Sequence, residues 1–206
     1  MSSRHTATAV GILFIAQMVT AIAGTSMIQA FVDGDSDQAP PTVGVLLMVC
    51  SGIAVVAIGL LMYPVLRTVD PRLAVWYPIL RVIEFAVSTV CGIYLLARSE
   101  VVPNHLLWVY LPTAAGGLIL TYLLYTSRLV PRPIALLGLV GYACLGAGVP
   151  LDLLGVLDMD AGAGQALLVP GGLFEAVVLP FWLIAKGFRS PPAARGLVAP
   201  ILGTTG

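Results

Sequence analysis

Charge is the scarce commodity in this chain. Only 10% of its 206 residues are Asp, Glu, Lys or Arg, where a soluble domain typically carries about 25%. The formal net charge is zero. There is no basic stripe with interleaved aromatics and no polybasic cluster, so neither nucleic acid nor strong reading of anionic lipid is expected. Cysteine is sparse as well. Cys50, Cys91 and Cys144 lie far apart, each within an apolar segment. An odd count without paired spacing argues against a disulfide framework or a zinc site. These cysteines read as small apolar residues between helices. No phosphate-binding P-loop, strand-led GxGxxG, HExxH, CxxC pair or GxSxG elbow occurs. No metal and no cofactor is expected on these grounds, although a bound lipid or quinone remains compatible.

What the chain has instead is apolar length. Hydrophobic residues make up 59% of it, more than one small core can hide. The expected class is an all-α, polytopic membrane protein. Six segments are long enough to cross about 30 Å of hydrocarbon, which takes about 20 helical residues. They run approximately Thr6–Phe31, Val43–Leu66, Ala74–Ala97, Leu106–Ser127, Pro133–Val156 and Ala166–Lys186. Pro, Gly, Asp and Arg punctuate the gaps, as turn chemistry requires. Short connections make consecutive helices antiparallel neighbours in a single bundle. Residues 1–189 form this transmembrane domain, and the Pro-, Gly- and Ala-rich residues 190–206 read as a loose cytoplasmic tail. No internal repeat is strong enough to indicate inverted-repeat transporter architecture.

The few charges set an orientation. Arg4, Arg67, Arg72, Arg128, Arg132, Lys186, Arg189 and Arg195 fall at the N-terminus, in the second and fourth connections, and in the C-terminal tail. The other three connections hold Arg98 with Asp33, Asp35, Asp37, Glu100, Asp158 and Asp160. Lys and Arg accumulate on the cytoplasmic side, so both termini are expected in the cytoplasm and the chain in the inner (plasma) membrane. His5 and His105 then lie at opposite faces and cannot share a metal or haem within one subunit. The first segment has a basic start and an Ala21-Ile22-Ala23 stretch like a signal-cleavage site. Apolar character resumes through Met27, Ile28, Phe31 and Val32, which favours a retained helix over a typical signal h-region.

Three charges fall deep inside the spans. A rise of about 1.5 Å per residue puts Glu84, ten residues past Ala74, and Glu175, eleven before Lys186, about 15–17 Å deep, near the bilayer midplane. Arg81 lies one turn nearer the cytoplasm, about 10 Å deep. A charge near the middle costs at least about 2.5–3.5 kcal/mol on insertion scales, so these residues should face the bundle and pair. Arg81 and Glu84 share a face at i,i+3, Ser88 extends it by one turn, and Glu175 joins from another helix. One arginine cannot neutralise two carboxylates. The excess acid, expected to be Glu175, is a candidate proton donor or cation ligand. A cluster that only fixes helix register is the competing reading. Asp152, nineteen residues after Pro133, falls near the outer interface as a wet helix-end residue or a binding group. Pro170-Gly171-Gly172 before Glu175 and Pro180 after it disturb the helix, which is tolerated where protein or a watered cavity satisfies the backbone. In the fourth and fifth spans, Thr113, Gly117, Thr121, Gly138, Gly141, Gly146 and Gly148 read as close-packing surfaces. Trp76, Tyr77, Trp108, Tyr110, Tyr125 and Trp182 lie near span ends and read as an interfacial belt.

Four stretches carry a resemblance: TATAVGILFIAQMV, LLMYPVLRTVDPRLAVWYPILRVIEF, LLYTSRLVPRPIALLGLVGY and GLFEAVVLPFWLIAKGF. In this order they resemble a bacterial family of small six-helix membrane proteins catalogued as a domain of unknown function. The resemblance implies a membrane fold and a pattern that includes Arg81, Glu84, Arg128, Pro131, Glu175, Trp182 and Gly187. It implies no activity.

Three functional classes follow from the residues. One is a bundle that binds or passes a small molecule, ion or proton. Another is a cofactor-independent enzyme on an isoprenoid-like substrate, similar in general design to integral-membrane terpene cyclases. There Glu175 would donate the proton and Glu84, held by Arg81, would assist. Ser88, Asp152, Tyr122 and Phe174 are candidate binding residues for either. The last is an accessory subunit, in a homo-oligomer or with another membrane partner. The lipid bilayer is the common partner of all three.

Overall fold

The structure, a computed structural model, describes residues 3–34, 40–159 and 161–189. Asp35, Asp37, Asp160, Arg195 and the expected tail lie outside the described residues. Among those described there is no β-strand, and six helical stretches are long and apolar enough to span a membrane. They are α1 (Ser3–Val32), α2 (Pro41–Leu66), α4 (Trp76–Arg98, preceded by the short α3, Pro71–Ala74), α5 (His105–Ser127), α6 (Arg132–Leu153) and a segmented sixth span over Ala166–Ala185. Each coincides with an expected span to within a few residues. α1 passes through Ala21–Ala23 without a break.

Proline and left-handed residues set the boundaries. Pro41, Pro71 and Pro133 occupy first-turn positions, where a missing N–H costs nothing. Asp70 caps α3 by accepting the N–H groups of Arg72 and Leu73 at 2.8 and 3.1 Å. α4 stops at Ser99 (φ 54°) and α5 at Arg128 (φ 58°). The sixth span stops at Gly187 (φ 71°), whose N–H bonds the Leu183 carbonyl. At Gly187 the left-handed backbone explains the residue, since a Cβ is disfavoured there. Arg128, Pro131 and Gly187 thus mark helix ends.

The sixth span is not one regular helix. Led in by the short α7 (Gly162–Gln165), it consists of a 3-10 turn (Ala166–Leu168), α8 (Val169–Leu173), a π turn (Phe174–Val178) and α9 (Leu179–Ala185). In the π turn the Leu179 N–H bonds the Phe174 carbonyl, five residues back. Pro180, next in line, has no N–H to give. Glu175 sits inside this widened turn.

The spans close into a ring. α1 packs on α2, α2 on α4, α4 on α5, α5 on α6, α6 on α8, and α9 with the π turn returns to α1. The closure is tight near the termini, where a Cβ on Gly11 would fall 2.9 Å from the Pro180 carbonyl oxygen. At the other end α1 makes at most marginal contact with α8. Phe14, Ile58, Met62, Leu124 and Leu183 fill the interior on the terminus-bearing side.

Candidate functional site

Arg81, Glu84 and Glu175 converge. Arg81 is 3% exposed, and its Nη1 donates to Glu84 Oε2 at 2.7 Å. Its Nη2 lies 4.0 Å from Glu175 Oε1, beyond hydrogen-bond reach. Arg81 Nε and Nη2 are buried without hydrogen-bond partners. The arginine is therefore committed to Glu84, while Glu175 Oε1 accepts the Tyr142 hydroxyl. The common depth expected from helical rise is realised as this contact between α4 and the π turn.

Two aromatic residues complete the arrangement. The Arg81 guanidinium lies over the Tyr77 ring, 5.1 Å from its centroid, and Tyr77 is fully buried. Tyr77 is thus no interfacial anchor, although its neighbour Trp76 is 54% exposed. Adjacent helical residues point about 100° apart, so position near a span end does not fix which side a ring faces. Tyr142 is held by packing. Its ring fills the space beside Gly117 that a Cβ would occupy, and it meets Phe174 edge-on with centroids 6.0 Å apart. Where α6 crosses α8, a Cβ on Gly141 would come within 2.9 Å of the Pro170 carbonyl carbon. That backbone contact sets Tyr142 opposite Glu175.

The two glutamates face a cavity of about 470 Å³ to which all six spans contribute. Its walls include Met18, Val55, Phe85 and Leu145, with Ser88, Thr113 and Tyr142 as hydroxyl groups. Among the described residues, Glu84 and Glu175 are the only charged ones lining it. Ile22 and Ser26 of α1 also line it, yet both face outward, Ile22 being 61% exposed. Across from them stand Leu168, Gly171 and Gly172. The cavity therefore opens sideways where α1 and α8 diverge. A second cavity of about 130 Å³ shares Thr25, Met48, Ser88, Leu106 and Val109 with the first and extends to Gln29, Val102 and His105.

The remaining candidates fall elsewhere. Ser88 lines both cavities. Phe174 is fully buried, packed against Gly138 and Tyr142 rather than lining either. Tyr122 is 49% exposed on the outer face of α5. Asp152 Oδ2 accepts the Met159 N–H at 2.6 Å, tying the end of α6 to the following loop. Among the described residues no three His, Cys, Asp or Glu side chains assemble as a metal-binding group. Sequence reading missed the support given by Tyr77 and Tyr142. A tyrosine on a facing span at the depth of a lone carboxylate was the available signal.

Residues 102–187 match a family model described as "Domain of unknown function (DUF4386)". The match contains the third quoted stretch and nearly all of the fourth, with Arg128, Pro131, Glu175, Trp182 and Gly187. It does not reach α1, α2 or the Arg81–Glu84 pair. Comparisons with curated proteins and with solved structures gave no match. The chain is a multi-pass membrane protein whose residues 102–187 are similar to this domain of unknown function.

Proposed function

We propose that this membrane protein binds a small, mainly apolar molecule in the central cavity, with the polar part of that molecule at Glu84 and Glu175. The observation that carries the reading is the cavity itself. Its volume falls within the range of about 300–1,000 Å³ usual for ligand sites, and its mainly apolar wall carries polar groups that include Glu84 and Glu175. The sideways opening supports supply from the bilayer. A residue such as Ile22 that is both lipid-facing and cavity-lining gives an apolar molecule a route that never crosses water.

The protein lies in the plasma membrane with both termini in the cytoplasm. Supporting this, Arg67, Arg132 and Arg189 at the terminus-bearing end lie over Tyr63, Tyr125 and Trp182, 5.9, 5.6 and 5.2 Å from the ring centroids. Such pairs suit the headgroup level. The lateral opening then belongs to the outer half of the bilayer.

Mass spectrometry of small molecules released from the detergent-extracted protein tests the reading. A lipophilic species released by the wild type and lost on Ser88→Phe, which fills the cavity, is expected. Identical profiles from a folded Ser88→Phe variant and the wild type would count against a cavity ligand.

A further inference from the structure

Among the described residues, the cavity wall presents two carboxylates and no cation. Arg81 stands behind it, 3% exposed, hydrogen-bonded to Glu84 and 4.0 Å from Glu175. Arg81, Glu84 and Glu175 together hold one more acid than base, and the excess sits at Glu175. Oε1 of that residue is occupied by Tyr142, whereas the residue itself forms part of the cavity wall. A charge this deep is tolerated only when something neutralises it. The other polar side chains of the cavity wall are Glu84, Gln17 and a set of hydroxyl groups that includes Ser51, Ser88, Thr113 and Tyr142, and none carries a positive charge.

We propose that the cavity selects lipophilic amines in their protonated form, the ammonium group docking on Glu175 and the apolar body lying against the cavity wall. This proposal rests on the reading of the cavity as a ligand site and adds the charge class of the ligand. An ammonium supplies both missing elements, a positive charge and N–H donors for the carboxylate. Phe85, Tyr110 and Tyr142 stand in the same wall, and aromatic rings near a site favour a cation over a neutral group. A carboxylate or phosphate head would instead meet two acids of its own sign.

A matched pair of compact probes tests this: 1-aminoadamantane, which is cationic at neutral pH, and 1-adamantanol, which is neutral. Saturable binding of each tritiated probe would be measured on the full chain in lipid nanodiscs, with empty nanodiscs subtracted. The amine should bind about tenfold or more tightly than the alcohol, the value expected of a charge-assisted hydrogen bond. Glu175→Gln should erase that preference, the amine losing about tenfold more affinity than the alcohol. Equal affinity of both probes for the wild type would overturn the charge selection and leave the cavity reading standing. Absence of saturable binding by either would overturn both. The wild-type comparison decides the proposal even if Glu175→Gln does not fold.

Discussion

Tyr142 donates its hydroxyl to Glu175 across the contact between α6 and the π turn, 33 positions apart in sequence. The bond depends on packing remote from the carboxylate. Gly117 leaves room for the tyrosine ring, and Gly141 lets α6 touch the backbone of α8. Each of these contacts is separately testable.

Tyr142→Phe keeps the ring and removes the donor. Stability should fall by about 1.5–3 kcal/mol, the usual net value of a hydrogen bond to a charged group. Unfolding of the purified protein in mixed micelles measures it. A loss several times larger would mean that the ring packing had also changed.

Arg81→Leu leaves Glu84 without its 2.7 Å partner and should cost about 3–5 kcal/mol, as breaking a buried pair does. Arg81→Leu combined with Glu84→Leu should be less damaging than Arg81→Leu alone. A double-mutant cycle in the same unfolding assay reads the coupling. Simple additivity would show that the two side chains act independently.

Gly141→Val forces a branched side chain into the backbone of α8 and should destabilise by about 1–3 kcal/mol or more, as overpacking does. Gly172→Ala is the contrast. Nothing lies within 4 Å of the added Cβ, so its effect should stay within about 0.5 kcal/mol. Thermal aggregation midpoints in detergent separate the two variants.

Orientation is open to a direct measurement. Glu100 and Thr68 are exposed and lie in connections at opposite ends of the bundle. In a cysteine-free background, Glu100→Cys should react with an impermeant maleimide on intact cells, and Thr68→Cys only after lysis. The reverse pattern would invert the proposed topology.

The span count and the meeting of Arg81, Glu84 and Glu175 were legible because both depend on distance along a helix. Apolar length marks a crossing, and rise per residue converts position into depth. Facing direction was not legible. Lipid is as apolar as leucine, so an inward face and a lipid face look alike in sequence. That is why Tyr77, buried under Arg81, resembled its exposed neighbour Trp76, and why Phe174 and Tyr122 were equally plausible cavity residues before the fold was known. The deep charges escaped this ambiguity because a charge has only one tolerable side to face. The π turn was only hinted at: Pro180 and the Gly171-Gly172 pair signal a disturbed helix, not which kind of disturbance.

That turn changes how insertions and deletions in the sixth span act. A π turn holds about one residue more than an α turn covering the same helical rise. Deleting a residue within Phe174–Val178 would restore ordinary α pitch while α8 and α9 kept nearly their present rise and facing directions. The same deletion in a regular helix would turn everything beyond it by about 100°. Gly11 would go on meeting the Pro180 carbonyl, and the change would fall chiefly on how Glu175 is presented to Tyr142. One lost codon at this position therefore disturbs the ring closure less than one elsewhere in the span.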